Sequence, residues 1–149
     1  MSVKNPSRAE VADMPVLSRG TRRLAGVLLL IMVTVELGGY VLTWLDTGKV
    51  QQTAFPQNFE RAGHAPAGVL LILSLVVLVL TDAARLTGWF DVLARLAIPA
   101  AAVLIAAGLF LLAIGTGRTQ PNPLVVLLWL GLDALTAGLV SFAVALLRR

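Results

Sequence analysis

RAGHAPAGVLLILSLVVLVLT, residues 61–81, is the stretch that decides the fold of this chain. No charged side chain follows Arg61 until Asp82, and the run from Val69 to Leu80 is apolar except for Ser74. A helix needs about 20 such residues to cross about 30 Å of hydrocarbon. The stretch therefore predicts a helix that spans a membrane.

Three further apolar runs of similar length accompany this one. The four spans are predicted at about 24–45, 62–81, 92–114 and 124–147. They must be helical, because hydrocarbon offers no water to satisfy free backbone groups. The composition agrees, since only 13% of the 149 residues are charged, against about 25% in soluble domains. We therefore expect an all-α, integral membrane four-helix bundle over residues 21–149, preceded by a flexible cytoplasmic arm, residues 1–20.

Lysine and arginine residues predict the sidedness of the bundle. If the N-terminus is cytoplasmic, nine basic residues lie inside and three lie outside. The inner group is Lys4, Arg8, Arg19, Arg22, Arg23, Arg85, Arg95, Arg148 and Arg149, and the outer group is Lys49, Arg61 and Arg118. Because basic residues accumulate in short cytoplasmic loops, both termini are predicted to be cytoplasmic, in a multi-pass protein of the bacterial inner membrane.

The remaining composition excludes several classes of function. The chain has no cysteine, which rules out disulfides, thiolate metal sites and thiol catalysis. Its net charge of +4 does not indicate nucleic-acid binding, because the basic residues flank apolar segments and no basic face is interleaved with aromatics. The expected surroundings are the lipid bilayer.

Glu36 and Asp133 are carboxylates inside predicted spans, and they are the candidate catalytic groups. Each lies about nine residues from the outer end of its span, so both are roughly 13–14 Å deep. A bare carboxylate at that depth costs several kcal/mol. One interpretation is a polar pocket or proton path. The other is a structural hydrogen bond between helices that uses Thr34, Thr136 or the other acid.

His64 is the only histidine, and its neighbours suggest a binding face. Arg61 lies three residues before it and Gly68 four residues after, so the three project from one side of a helix. Gly68 leaves space for a planar ligand beside the imidazole, and Arg61 is placed to pair with a carboxylate of that ligand. A zinc site is excluded, because zinc takes three or four protein ligands and only Glu60 lies close to His64 in the sequence. The alternative is that His64 is a polar anchor at the membrane surface.

The motif RAGHAPAG, residues 61–68, at the start of the second of four spans resembles the family of styrene oxide isomerase and hydroxylaminobenzene mutase. The resemblance implies that haem b binds with His64 as its axial ligand and metal-binding residue, and with Arg61 against a propionate. It also implies a trimeric bundle in which ferric haem acts as a Lewis acid on a small apolar epoxide. Leu70 stands where the family has an asparagine, which implies a more apolar pocket here.

Three hypotheses about function follow. The first is a haem b protein using His64, which is either an isomerase or a non-catalytic haem protein. The second is an accessory subunit that docks on a larger membrane complex, and the third is a proton or small-solute conduit that uses Glu36 and Asp133. Small residues four apart, Ala134 with Gly138 and Ala137 with Ser141, allow close helix packing, either within one bundle or in a homo-oligomer.

Overall fold

The computed structural model of this chain describes residues 17–49, 54–114 and 119–148. These residues form four long α-helices: α1 (Arg19–Asp46), α2 (Ala54–Ala83), α3 (Trp89–Leu111) and α4 (Val125–Leu147). All four are long and apolar enough to cross a membrane, which agrees with the predicted four-helix class. Most of the predicted N-terminal arm lies outside the described residues, but Arg19 and Gly20 already belong to α1.

Two polar residues define where α1 and α4 begin. The hydroxyl of Ser18 accepts a hydrogen bond from the backbone N–H of Thr21 at 3.1 Å, which satisfies one free donor of the first turn of α1. The carboxamide of Asn122 accepts from the N–H of Leu124 at 2.8 Å and donates to the carbonyl of Leu111 at 2.7 Å. Asn122 therefore ties the start of α4 to the end of α3.

The second helix begins earlier than the sequence analysis predicts. It starts at Ala54, so the segment expected to be loop up to Arg61 is helical from Ala54 onward. Pro66 consequently lies in the helix interior rather than in a first turn. Proline has no N–H, so the carbonyl of Ala62 loses its usual helical donor. The backbone next to His64 is thus one hydrogen bond short of a regular helix.

The helices pack mainly in chain order, α1 on α2, α2 on α3 and α3 on α4, with the last pair in closest contact. Glycines allow the backbones of α3 and α4 to approach each other closely. A Cβ added to Gly108 would lie 2.6 Å from the backbone nitrogen of Leu128, and one added to Gly131 would lie 2.7 Å from Cγ1 of Ile105. Gly138 is also buried against α3. The small residues of α4 thus serve packing within the bundle, although Ala137 is exposed.

The first helix is the least covered of the four. In its most apolar stretch of 18 residues, only 6% is buried inside the bundle, whereas 39% of the corresponding stretch of α3 is buried. It packs on α2 and leaves a groove between itself and α3. We call the end of the bundle where α1 ends and α2 begins the His64 end, and the opposite end the Arg95 end.

Candidate functional site

A cavity of about 280 Å³ lies between α1, α2 and α3 at the His64 end. Its lining residues are Ile31, Thr34, Val35, Gly38, His64, Ala67, Leu71, Ala102, Val103, Ala106, Ala107 and Phe110. The hydroxyl of Thr34 already donates to the carbonyl of Ile31 at 2.6 Å. Thr34 can still accept a hydrogen bond, and His64 is the other polar side chain of the lining.

Two consecutive glycines of α1 lie against the imidazole. A Cβ on Gly38 would be 3.7 Å from Nδ1 of His64, and a Cβ on Gly39 would be 3.4 Å from Cε1 and 3.5 Å from Nε2. Larger side chains at these positions would occupy the space that the ring now uses. The glycines therefore permit α1 to approach α2 with an imidazole between them.

The Nδ1 atom of His64 is buried, and it has no hydrogen-bond partner among the described residues. A buried polar atom without a partner costs about 1–3 kcal/mol. Such an atom beside an apolar cavity is typical of a site that binds something. The predicted site residue is thus placed where a ligand could reach it.

Arg61 and Gly68, which were predicted to share a binding face with His64, differ in their surroundings. Arg61 forms an ion pair with Asp46, which connects α2 to the end of α1, and both side chains are about half exposed. Arg61 is not part of the cavity lining. A Cβ on Gly68 would have open space around it, as expected, but the cavity extends along Ala67 and Leu71 instead.

Glu36 and Asp133 are not brought to this cavity. Both are exposed, on α1 and α4 respectively. The hydroxyl of Thr34 bonds to its own helix, and Thr136 likewise donates to the carbonyl of Leu132 at 3.0 Å. Across the described residues, neither acid has a hydrogen-bond partner or ion pair within this chain. The structure therefore offers no shared pocket for these acids inside one chain.

A polar cluster at the Arg95 end was not predicted from the sequence, in which Arg95 served only to indicate the sidedness of the bundle. The guanidinium of Arg95 bonds to Asp82 and Asp91, each at 2.5 Å, and also to the hydroxyl of Thr21. The backbone N–H of Ser18 donates to Asp82 at 2.7 Å. This cluster joins α1, α2 and α3. Part of this cluster could have been predicted from the sequence, because Asp91 and Arg95 are four residues apart on one helix and oppositely charged.

Two further cavities lie along the groove between α1 and α3. A second cavity of about 210 Å³ shares Ile31 and Val103 with the cavity at His64, and a third of about 510 Å³ reaches Thr21 and Arg95. The middle cavity is lined by apolar residues apart from Arg95. A ligand larger than the space beside His64 therefore has room to extend.

Comparison with known proteins adds no assignment. No family model matches this chain, and no curated protein or solved structure is significantly similar to it. Within the described ranges, no three His, Asp or Glu side chains are grouped to hold a bare metal ion. A metal bound by His64 would therefore have to bring most of its ligands with it.

Proposed function

We propose that this chain is a multi-pass protein of the bacterial inner membrane that binds haem b, with His64 as the axial ligand. The observation that carries the proposal is the buried, unpartnered Nδ1 of His64 beside an apolar cavity. In this proposal both termini are cytoplasmic, so the His64 end faces outward and the Arg95 end faces the cytoplasm, in accordance with the distribution of basic residues.

The residues at the site fit a haem group better than a free ion. A single neutral imidazole can ligate haem iron, because the porphyrin supplies the other nitrogen ligands. The walls are Ala, Val, Leu, Ile and Phe side chains, which suits an apolar planar group. Gly38 and Gly39 make room for the imidazole itself. Arg61, one turn from His64 towards the start of the helix, would supply a cation for a propionate in exchange for part of its contact with Asp46.

The chemistry that a bound ferric haem supplies is that of a Lewis acid towards an oxygen atom of a small substrate. This chain contributes an environment in which water is excluded by apolar walls. It places no carboxylate in the lining to act as a proton donor, since Glu36 and Asp133 are exposed elsewhere. The form of catalysis that we propose, rearrangement of a small apolar epoxide, is what the resemblance of residues 61–68 implies. A lining without a carboxylate fits rearrangement better than hydrolysis.

Absorption spectroscopy tests the proposal directly. The protein is purified in detergent from haem-replete cells and titrated with hemin. We expect the wild type to retain haem on purification and to shift the Soret band of added hemin. In His64→Ala we expect no retained haem and the spectrum of free hemin, with the helix content by circular dichroism unchanged. Because His64 is the only histidine, no other imidazole can replace it.

A matched variant separates axial ligation from general damage to the cavity. In His64→Gly, added imidazole should restore the Soret band, since the free ligand can occupy the vacated space. Asn58→Ala, an exposed change on the same helix, should leave the band intact. The proposal is wrong if the wild type with added hemin gives only the spectrum of free hemin in detergent, or if His64→Ala gives the same spectrum as the wild type.

A further inference from the structure

Glu36 on α1 and Asp133 on α4 lie at similar depths along the bundle. These two helices are the least buried of the four. Glu36 is ten residues before Asp46, the last residue of α1, and Asp133 is eight residues after Val125, the first residue of α4. At 1.5 Å per residue, the acids lie about 15 Å and about 12 Å from the His64 end of their helices. Helices α1 and α4 run in opposite directions, so both distances are measured from the same end of the bundle.

Each acid points away from the chain that carries it. Asp133 shares its exposed face of α4 with Trp129, Thr136 and Val140, opposite the buried glycines. Glu36 lies on the flank of α1 with Val33 and Tyr40, which are 49% and 65% exposed. In a membrane these faces would contact lipid tails. An acidic side chain at the centre of a span costs about 2.5–3.5 kcal/mol on insertion scales, and more in hydrocarbon alone.

We propose that copies of this chain associate head to tail, with α1 of one copy against α4 of the next, so that Glu36 meets Asp133 of the partner subunit. In their uncharged forms two carboxyl groups can donate to and accept from each other. Thr136 and Ala137 are small residues beside Asp133 and allow close approach of the partner helix. This inference does not rest on the proposed haem binding.

The matched depth favours this contact over the other possible occupants. Copies inserted in the same orientation are related by rotation about the membrane normal, and that rotation preserves depth. A hydrogen bond between Glu36 of one copy and Asp133 of the next therefore requires the two acids to lie at similar depths. Contacts of Glu36 with Glu36, or of Asp133 with Asp133, place no such requirement on the pair. An unrelated membrane protein would need to supply a separate polar partner for each acid. A single repeated head-to-tail contact gives both acids a hydrogen-bond partner, and repetition of this contact can close the copies into a ring.

Disulfide crosslinking in membranes tests the arrangement, because the chain has no cysteine of its own. Tyr40→Cys and Trp129→Cys are placed in two differently tagged chains, about one turn from the acids, which stay intact. We expect a crosslinked pair that carries both tags when the chains are co-expressed. Tyr40→Cys combined with Val103→Cys, at similar depth on α3, is the control and should give no crosslink between chains. A crosslink from either single variant with itself, or an equal yield in the control, would overturn the head-to-tail contact.

The role of the acids is tested by a second set of variants. Glu36→Ala and Asp133→Ala should weaken association about five- to tenfold in detergent, as expected for one lost hydrogen-bonded contact between helices. Glu36→Gln and Asp133→Asn, which keep donors and acceptors, should retain most of it. Light scattering of the purified protein measures the oligomer. A monomeric wild type, or alanine variants that associate as the wild type does, would refute the proposal, and the Soret test would be unaffected.

Discussion

The imidazole of His64 on α2 lies directly against Gly39 of α1, where an added Cβ would be 3.4 Å from Cε1 of the ring. The position of the candidate ligand residue is thus decided by a residue that is distant in sequence. Without a side chain at Gly39, α1 covers the ring and leaves the neighbouring cavity open.

Enlarging Gly39 should displace the imidazole. Gly39→Ala adds an atom at ordinary contact distance and should be tolerated, whereas Gly39→Leu must push His64 aside. Overpacking of this kind costs about 1–3 kcal/mol, so we expect hemin affinity to fall roughly tenfold or more, measured by Soret titration. Gly26→Leu on the same helix is the control, since nothing lies within 4 Å of that position. An equal loss of affinity in both leucine variants would contradict the contact.

Adding a methyl group at Gly108 should destabilise the α3–α4 pair. Its Cβ would lie 2.6 Å from the backbone nitrogen of Leu128, and backbone cannot move aside as a flexible side chain does. We expect Gly108→Ala to lower the free energy of unfolding by about 1–3 kcal/mol, measured by circular dichroism during denaturation in mixed micelles. Gly68→Ala, which meets open space, should be neutral or slightly stabilising. Equal stabilities of the two variants would show that the helices are not so closely packed.

Removing Arg95 should cost far more than removing Arg61. Arg95 is 20% exposed and Asp82 only 8%, so Arg95→Leu leaves poorly solvated carboxylates without their cation. We expect a loss of about 2–3 kcal/mol, below the range for a fully buried pair. The Arg61–Asp46 pair is about half exposed, so Arg61→Leu should cost under about 1 kcal/mol.

A double variant checks the cause of that loss. Asp82→Asn added to Arg95→Leu should recover part of the stability, because it removes one of the uncompensated charges. Unfolding of all variants is followed by circular dichroism under the same conditions. If Arg61→Leu and Arg95→Leu are equally destabilising, burial is not what distinguishes the two ion pairs.

The number and helical character of the four long apolar segments follow from the sequence alone. Runs such as Val69–Leu80 are long and apolar, and in hydrocarbon a backbone must satisfy its hydrogen bonds within its own segment. This requirement is local, so it can be evaluated residue by residue. The sequence alone also made His64 a candidate site residue, because it is a single imidazole next to an apolar run.

Only the tertiary structure decided which residues meet. It placed Gly38 and Gly39 beside His64, gathered Asp82, Asp91 and Thr21 around Arg95, and turned Glu36 and Asp133 outward. The physical reason is that lipid tails are as apolar as leucine, so hydrophobicity along these helices does not distinguish the packed face from the lipid face. The rotation of each helix about its axis is set instead by close packing at small residues such as Gly108 and Gly131, and this depends on the partner helix.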